Sequence, residues 1–115
     1  MKQALPIIAL LLLISGGCAK AIRPGSIDVV DSRTYDTLLV AQAVLDNAKI
    51  AFKQGKLPDN AKPVINAAGE AYNALRDVWL SYRAAPGAAL EQRIISATLE
   101  LNKVILELRN MGVSQ

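Results

Sequence analysis

Three long stretches of the chain place apolar residues three and four positions apart, a spacing that puts them on one face of an α-helix. The first stretch covers residues 32–54, the second begins at Asp59 or Asn60 and ends near residue 84, and the third covers residues 88–111. The pattern therefore predicts three amphipathic helices. Their apolar positions are, in chain order, Leu38, Ala41, Leu45, Ala48 and Phe52; Ile65, Ala68, Tyr72, Leu75, Trp79 and Tyr82; and Leu90, Ile94, Ala97, Leu101, Val104, Leu108 and Met111.

Glycine and proline residues separate the predicted helices. Gly55 lies where the end of a helix favours a left-handed residue, and Leu57 lies where an apolar side chain packs back on the last turn. Pro86-Gly87 is expected to end the second helix, and Gly112 the third. Turns this short force neighbouring helices to run antiparallel. The sequence therefore predicts an all-α fold: an antiparallel three-helix bundle with near-heptad seams, or a long helical hairpin plus a third helix.

The first residues of the chain have a different character. After Lys2, residues 4–19 carry no charge, and their apolar centre, residues 7–14, is followed by Ser15-Gly16-Gly17-Cys18. This order is typical of a signal peptide. The four-residue run resembles a lipobox, the site cut by the lipoprotein-specific signal peptidase, although Ser15 stands where leucine is commonest. The chain is thus similar to bacterial lipoproteins, which implies that residues 1–17 are cleaved off and that Cys18 carries a thioether-linked diacylglycerol and an acylated amino terminus.

Two other interpretations of this segment stay open. An uncleaved transmembrane helix needs about 20 apolar residues, but only 17 residues lie between Lys2 and Lys20. An ordinary secretory signal, cut after Ala19 or Ala21, would leave the protein without lipid. Ala19 is also not the aspartate that commonly retains lipoproteins of two-membrane bacteria in the inner membrane. The resemblance therefore implies that the protein lies on the periplasmic face of the outer membrane when the source has two membranes.

The segment between Cys18 and the first helix is expected to be a flexible tether, residues 18–31, followed by a helical domain, residues 32–112. Pro24-Gly25-Ser26 interrupts any helix, and the apolar positions that follow are too few for an isolated strand. Fully extended, residues 19–31 reach up to roughly 43 Å at about 3.3 Å per residue. Alternatively, Ile27, Val29 and Val30 dock onto the bundle. Asp31, Ser32 or Thr34 is expected to cap the first helix.

The amino-acid composition argues against most kinds of metal site and catalytic site. The chain has no histidine, and its one cysteine, Cys18, is assigned to lipid, so we expect no metal site, no cofactor and no enzymatic activity. Ser81, Ser96 and Thr98 have no lysine at helical spacing on their own face that would activate them. The 13 basic and 10 acidic residues alternate along the chain, which argues against a nucleic-acid partner.

Four residues of the second helix invite a functional interpretation: Tyr72, Trp79, Tyr82 and Arg83. Trp, Tyr and Arg dominate binding hot spots, so this set is a candidate interaction stripe. Alternatively, Tyr72 and Trp79 fill the core, with the hydroxyls at its rim. In that case Trp79 is expected to pack against Leu45 or Phe52 and against Leu101 or Val104.

Together these features predict a lipid-anchored, non-catalytic structural or interaction protein of the bacterial cell envelope. Its partners would be the membrane, through lipid on Cys18, and an envelope protein or a second copy of the chain. One alternative is a phage- or plasmid-encoded envelope lipoprotein, either an exclusion factor or a lysis factor. Outer spanins resemble the chain in size and lipobox, but they are usually proline-rich and disordered. Another alternative is a carrier that holds a small apolar ligand within the bundle.

Overall fold

A computed structural model describes residues 24–113 and folds them into three α-helices, each packed against the other two. These are α1, Val29–Lys53; α2, Ala61–Ala84; and α3, Ala88–Asn110. The described residues contain no β-strand. The predicted all-α three-helix bundle is therefore confirmed. The predicted signal peptide, Cys18 and the first part of the predicted tether lie outside the described residues.

Glycines end α1 and α3 in the manner that the sequence predicts. Gly55 and Gly112 have positive φ angles of 73° and 103°, a conformation that residues with a side chain rarely adopt. After each glycine the next amide donates back to a carbonyl of the last helical turn, over 2.9 Å from Lys56 and 3.2 Å from Val113. Val113 is also buried and packs into the core. Each glycine thus closes its helix with a Schellman motif.

The beginning of α1 differs from the prediction. Asp28, and not Asp31, Ser32 or Thr34, is the N-cap: its Oδ1 accepts a hydrogen bond of 2.9 Å from the amide of Asp31. The helix therefore starts at Val29, and the last residues of the predicted flexible tether belong to the fold. The physical reason is that an aspartate before the first turn satisfies an amide with no partner inside the helix, while Val30 packs against the core.

The core follows the predicted seams closely. Alanines at the helix contacts, among them Ala41, Ala48 and Ala68, are at most 2% exposed, so small side chains let the helices approach one another. Phe52, Tyr72 and Trp79, predicted as seam residues, are only half-buried. The buried apolar residues are Leu38, Ala41, Val44, Leu45, Ala48, Ala61, Ile65, Ala68, Leu75, Tyr82, Ile94, Leu101, Val104, Ile105, Leu108 and Val113.

Two leucines of α2 test this description of the core. Leu75 has no exposed surface and Leu80 is 51% exposed. We expect Leu75→Ala to lower the free energy of unfolding by about 2–5 kcal/mol, since it leaves a cavity, and Leu80→Ala to change it by less than about 0.5 kcal/mol. Urea unfolding of a soluble form that begins at Ala19 measures both values. Equal losses for the two variants would contradict the assignment of the core.

Candidate functional site

The start of α1 and the end of α2 meet in a polar cluster, which we call the aspartate clamp: Asp28, Asp31, Trp79, Tyr82 and Arg83. The two helices run antiparallel and are joined by a short turn, so the first turn of α1 lies beside the last turns of α2. Three of the four residues of the candidate interaction stripe belong to this cluster. They face the N-terminal segment of their own chain.

Asp31 is the centre of the clamp. Its side chain has no exposed surface, and its Oδ1 accepts a hydrogen bond of 2.6 Å from the indole nitrogen of Trp79. Its Oδ2 accepts a hydrogen bond of 2.9 Å from the amide of Ile27 and forms an ion pair of 3.3 Å with the guanidinium of Arg83. A buried carboxylate is costly unless it is paired and hydrogen-bonded. Both oxygens of Asp31 meet that condition, and its position in the first turn of α1 also suits the helix dipole.

Asp28 makes the second connection between the two helices. Its Oδ1 caps α1, and its Oδ2 accepts a hydrogen bond of 2.7 Å from the hydroxyl of Tyr82. This hydrogen bond, together with burial and the nearby carboxylates, raises the pKa of Tyr82 from 10.0 to about 12. The cause is that a phenolate would lose its hydrogen bond and stand beside a carboxylate, away from water. Tyr82 therefore remains a neutral donor well above neutral pH.

An aromatic and cationic layer covers the clamp on its outer side. The rings of Tyr35 and Trp79 lie 5.8 Å apart between centroids, at a tilt of 33°. The guanidinium of Arg83 lies 5.5 Å from the Trp79 ring centroid, within cation–π range. Arg83 also donates a hydrogen bond of 3.4 Å to the carbonyl of Gly25. Its side chain, 39% exposed, thus holds the segment that precedes α1 against the end of α2.

The predicted surroundings of Trp79 are wrong. Its indole bonds to Asp31, which lies 14 residues before Leu45 on α1, or about 21 Å along the helix axis. The antiparallel register explains this: residues equally far from the α1–α2 turn lie at the same level, and Trp79 is therefore level with Tyr35. The same register puts Phe52 at a different level from Trp79, because Phe52 lies close to the α1–α2 turn. Leu101 and Val104 also lie at a different level, because they are further from the α2–α3 turn than Trp79 is. Asp31 also accepts a hydrogen bond from the indole N–H. In an apolar core this N–H would have no partner.

Tyr72 lies apart from the clamp, midway along the α1–α2 contact. It is half-buried, and its hydroxyl donates a long hydrogen bond of 3.4 Å to the side-chain oxygen of Gln42. The candidate interaction stripe is therefore engaged within the chain. The sequence interpretation missed Asp28 and Tyr35. An aspartate followed three residues later by a second acidic residue, just before an apolar helical pattern, is a capping signature that indicates the true start of α1.

The chemistry of the clamp suits a structural role in which it holds segments of the chain together. Each of the four carboxylate oxygens of Asp28 and Asp31 accepts a hydrogen bond from the chain. Across residues 24–113, no buried side-chain nitrogen or oxygen lacks a partner, and no three acidic or sulfur-containing side chains gather as a metal site would require. The clamp joins three parts of the chain: the segment that contains Gly25 and Ile27, the first turn of α1 and the last turns of α2.

Comparison with known proteins adds no relative. No model of a protein family matches the chain, and no curated protein and no solved structure matches it. Within the part of the chain that the structure describes, no helix combines the length and the apolar character needed to cross a membrane.

The first prediction from the clamp concerns Asp31. Replacing it with alanine leaves the indole of Trp79, the amide of Ile27 and the Arg83 guanidinium without their acceptor. We expect Asp31→Ala to lower the free energy of unfolding by about 2–4 kcal/mol. The matched control is Asp77→Ala, since the Asp77 side chain is 72% exposed and its ion pair with Arg76 is long, at 3.9 Å. A loss for Asp31→Ala no larger than that of the control would contradict the role of the clamp.

The second prediction uses the raised pKa of Tyr82. A group whose pKa is higher in the folded state stabilises the fold fully below its unfolded pKa, and this contribution is lost as the pH rises through the folded value. Stability should therefore fall between pH 10 and about 12, by up to about 2–3 kcal/mol. Tyr82→Phe should be less stable at neutral pH and should lack this part of the alkaline loss. Parallel pH profiles of the two proteins would rule out the Asp28–Tyr82 hydrogen bond.

Proposed function

We propose that this chain is a lipid-anchored, non-catalytic structural or interaction protein of the bacterial cell envelope. Where the source has two membranes, the protein belongs to the periplasmic face of the outer membrane. The observation that carries the proposal is the aspartate clamp, which fastens the chain to the bundle at Ile27, nine residues after Cys18. A lipid on Cys18 would thus hold a folded domain through a short connection.

The length of that connection determines where the domain lies. Nine residues span at most about 30 Å, whereas a tether that ended at residue 31 would reach roughly 43 Å. The domain is therefore held near the bilayer by the end at which α1 begins. The opposite end, at the α1–α2 turn, lies a further 37 Å or so away along the 25 residues of α1. In this position the sides of the helices are available for contact with neighbouring molecules.

The clamp also resists displacement of the anchored end. Two or three acyl chains at about 0.8 kcal/mol per buried methylene would keep Cys18 in the bilayer. A force on the domain then acts first on the residues next to the connection. Ile27 and Gly25 are held there by Asp31 and Arg83, so the first turn of α1 is protected from unwinding.

The non-catalytic part of the proposal is supported by the hydrogen bonds that engage the two acidic groups of the clamp. A general acid or base needs a free position beside its substrate, whereas the carboxylates of Asp28 and Asp31 are occupied by donors of the protein itself. The chain has no histidine. The clamp residues are therefore interpreted as structural.

Substitution of Cys18 tests the anchor. We expect the wild-type chain, expressed in a bacterium with radioactive palmitate, to be labelled and to sediment with membranes. Cys18→Ser should abolish the label and leave unprocessed precursor. The matched control is the double variant Cys18→Ser/Ser96→Cys, which restores one cysteine on the exposed side of α3 and should not restore the label.

The other interpretations of the N-terminal segment give different results. An unlabelled wild-type chain that is processed and released would indicate an ordinary secretory signal, and an unlabelled, unprocessed chain in membranes would indicate a retained helix. Either result, or equal labelling of wild type and Cys18→Ser, would refute the lipid anchor.

A further inference from the structure

α3 carries a second apolar stripe on the side that faces away from the core. Ile95, Leu99 and Leu106 are 45%, 66% and 58% exposed, although all three are large apolar residues. With Asn102 they are spaced by four, three and four positions, which is the heptad spacing of a helix–helix seam. The inner seam of α3, around Leu101, already faces α1 and α2. α3 is therefore built to contact helices on two sides, and the three-helix bundle occupies only one of them.

The stripe borders an open groove between α1 and α3. Two clefts lie end to end in it and share Thr37: one of about 430 Å³ reaches Val40, Asn102 and Leu106, and one of about 390 Å³ reaches Ile95 and Leu99. Val40 on the α1 side is itself 38% exposed. Stripe and groove together form a continuous, largely apolar face, which we call the α1–α3 face. Exposed large apolar residues that lie together on one face are typical of an interaction site.

We propose that the α1–α3 face binds the same face of a second copy of the chain, with the two α3 helices parallel and in register. The proposal rests on the proposed function, because two copies anchored to one bilayer at the same end of the bundle necessarily point the same way. The pair would have twofold symmetry about an axis along α3, and each stripe residue would meet its own counterpart. Helices α1 and α3 of both copies would then form a four-helix core.

Asn102 favours a second copy over an unrelated helix. A carboxamide has both a donor and an acceptor, so two copies of Asn102 that face each other across the seam satisfy one another. Any shift of the register would leave this carboxamide against a leucine and without a partner, so Asn102 favours the pair in which the two copies are in register. Ile95, Leu99 and Leu106 supply the apolar contacts on both sides of it.

The charges beside the stripe permit this arrangement. In a parallel pair with this register, Glu91 lies across from Ser96 of the other copy, and Lys103 lies across from Thr98. No like charges meet at these flanking positions. The acidic residues Glu100 and Glu107 of α3 are exposed and lie outside the stripe, more than about 100° around the helix from it. Arg109, three positions after Leu106, continues the stripe and would face its own counterpart at the end of α3, but Asp36 of α1 lines the same cleft and supplies an opposite charge there.

The stripe itself is short. It runs from Ile95 to Leu106, about 17 Å along the helix axis at 1.5 Å per residue. Stable interfaces bury roughly 800 Å² per partner, so the proposed pair also requires contact by the facing side of α1, which includes Val40. Confinement to a membrane also raises the effective concentration of the copies, which favours pairing without any further contact.

Cysteine cross-linking of the full chain in bacterial membranes tests the proposal. Leu99→Cys and Asn102→Cys, made separately, place a thiol on the symmetry axis, where two Cα atoms would lie within the roughly 4.4–6.8 Å that a disulfide requires. We expect a mild oxidant to convert most of each variant into a covalent dimer on non-reducing gels. The matched control is Glu107→Cys, an exposed position of α3 outside the stripe, which should give at least fivefold less. Adding Leu106→Glu to Asn102→Cys should abolish most of the dimer, and Leu106 is exposed enough for the monomer to fold unchanged.

The outcomes distinguish this inference from the proposed function. Equal cross-linking at Glu107 and Asn102 would indicate random collision, and monomers at all three positions would show that the face does not bind a second copy; either result overturns the inference. The same membranes are assayed for palmitate label, so loss of pairing in labelled protein leaves the anchor intact. A covalent dimer of the wild-type chain would reveal a free thiol at Cys18, which would refute the anchor instead.

Discussion

The burial of one carboxylate, that of Asp31, governs how this small domain is closed. An aspartate with no exposed surface must have donors for both oxygens, and α1 supplies none of them from its interior. The donors come from both sides: Trp79 and Arg83 from the end of α2, and the amide of Ile27 from the segment before α1. Asp31 therefore helps to fix the positions of all three groups. Asp28 repeats the arrangement with Tyr82, so the first turn of α1 is tied twice to α2.

Periodicity predicted the part of the fold that depends on local pattern. The three helices, their glycine ends and most core positions follow from apolar spacing and turn residues, and the structure confirms them. The clamp depends on residues 48 and 54 positions apart in the chain, and no local pattern indicates such contacts. Pro24-Gly25 suggested a flexible linker, although Asp28 and Asp31 carried a capping signal. Apolar spacing alone predicts the wrong level for Trp79, because the level of a residue in an antiparallel helix pair depends on its distance from the α1–α2 turn.

The clamp and the α1–α3 face lie in different parts of the molecule and suit different roles. Residues that resembled a recognition stripe, Trp79, Tyr82 and Arg83, are occupied in holding the chain to itself. The exposed apolar positions of α3, which do not belong to its inner seam, are the ones left without a partner in the bundle. A short connection to Cys18 at one end and an open helical face along the side are consistent with a domain that is held beside a membrane and binds laterally.

Hydrogen exchange at two backbone amides tests the central claim most directly. In the soluble form that begins at Ala19, the amides of Ile27 and Asp31 donate to buried or capping carboxylates. The account predicts that both exchange as slowly as amides in the middle of α1, such as that of Ala41, within about tenfold, because they are released only when the bundle opens. Exchange of Ile27 and Asp31 at the rate of an unstructured peptide, while Ala41 stays protected, would contradict it.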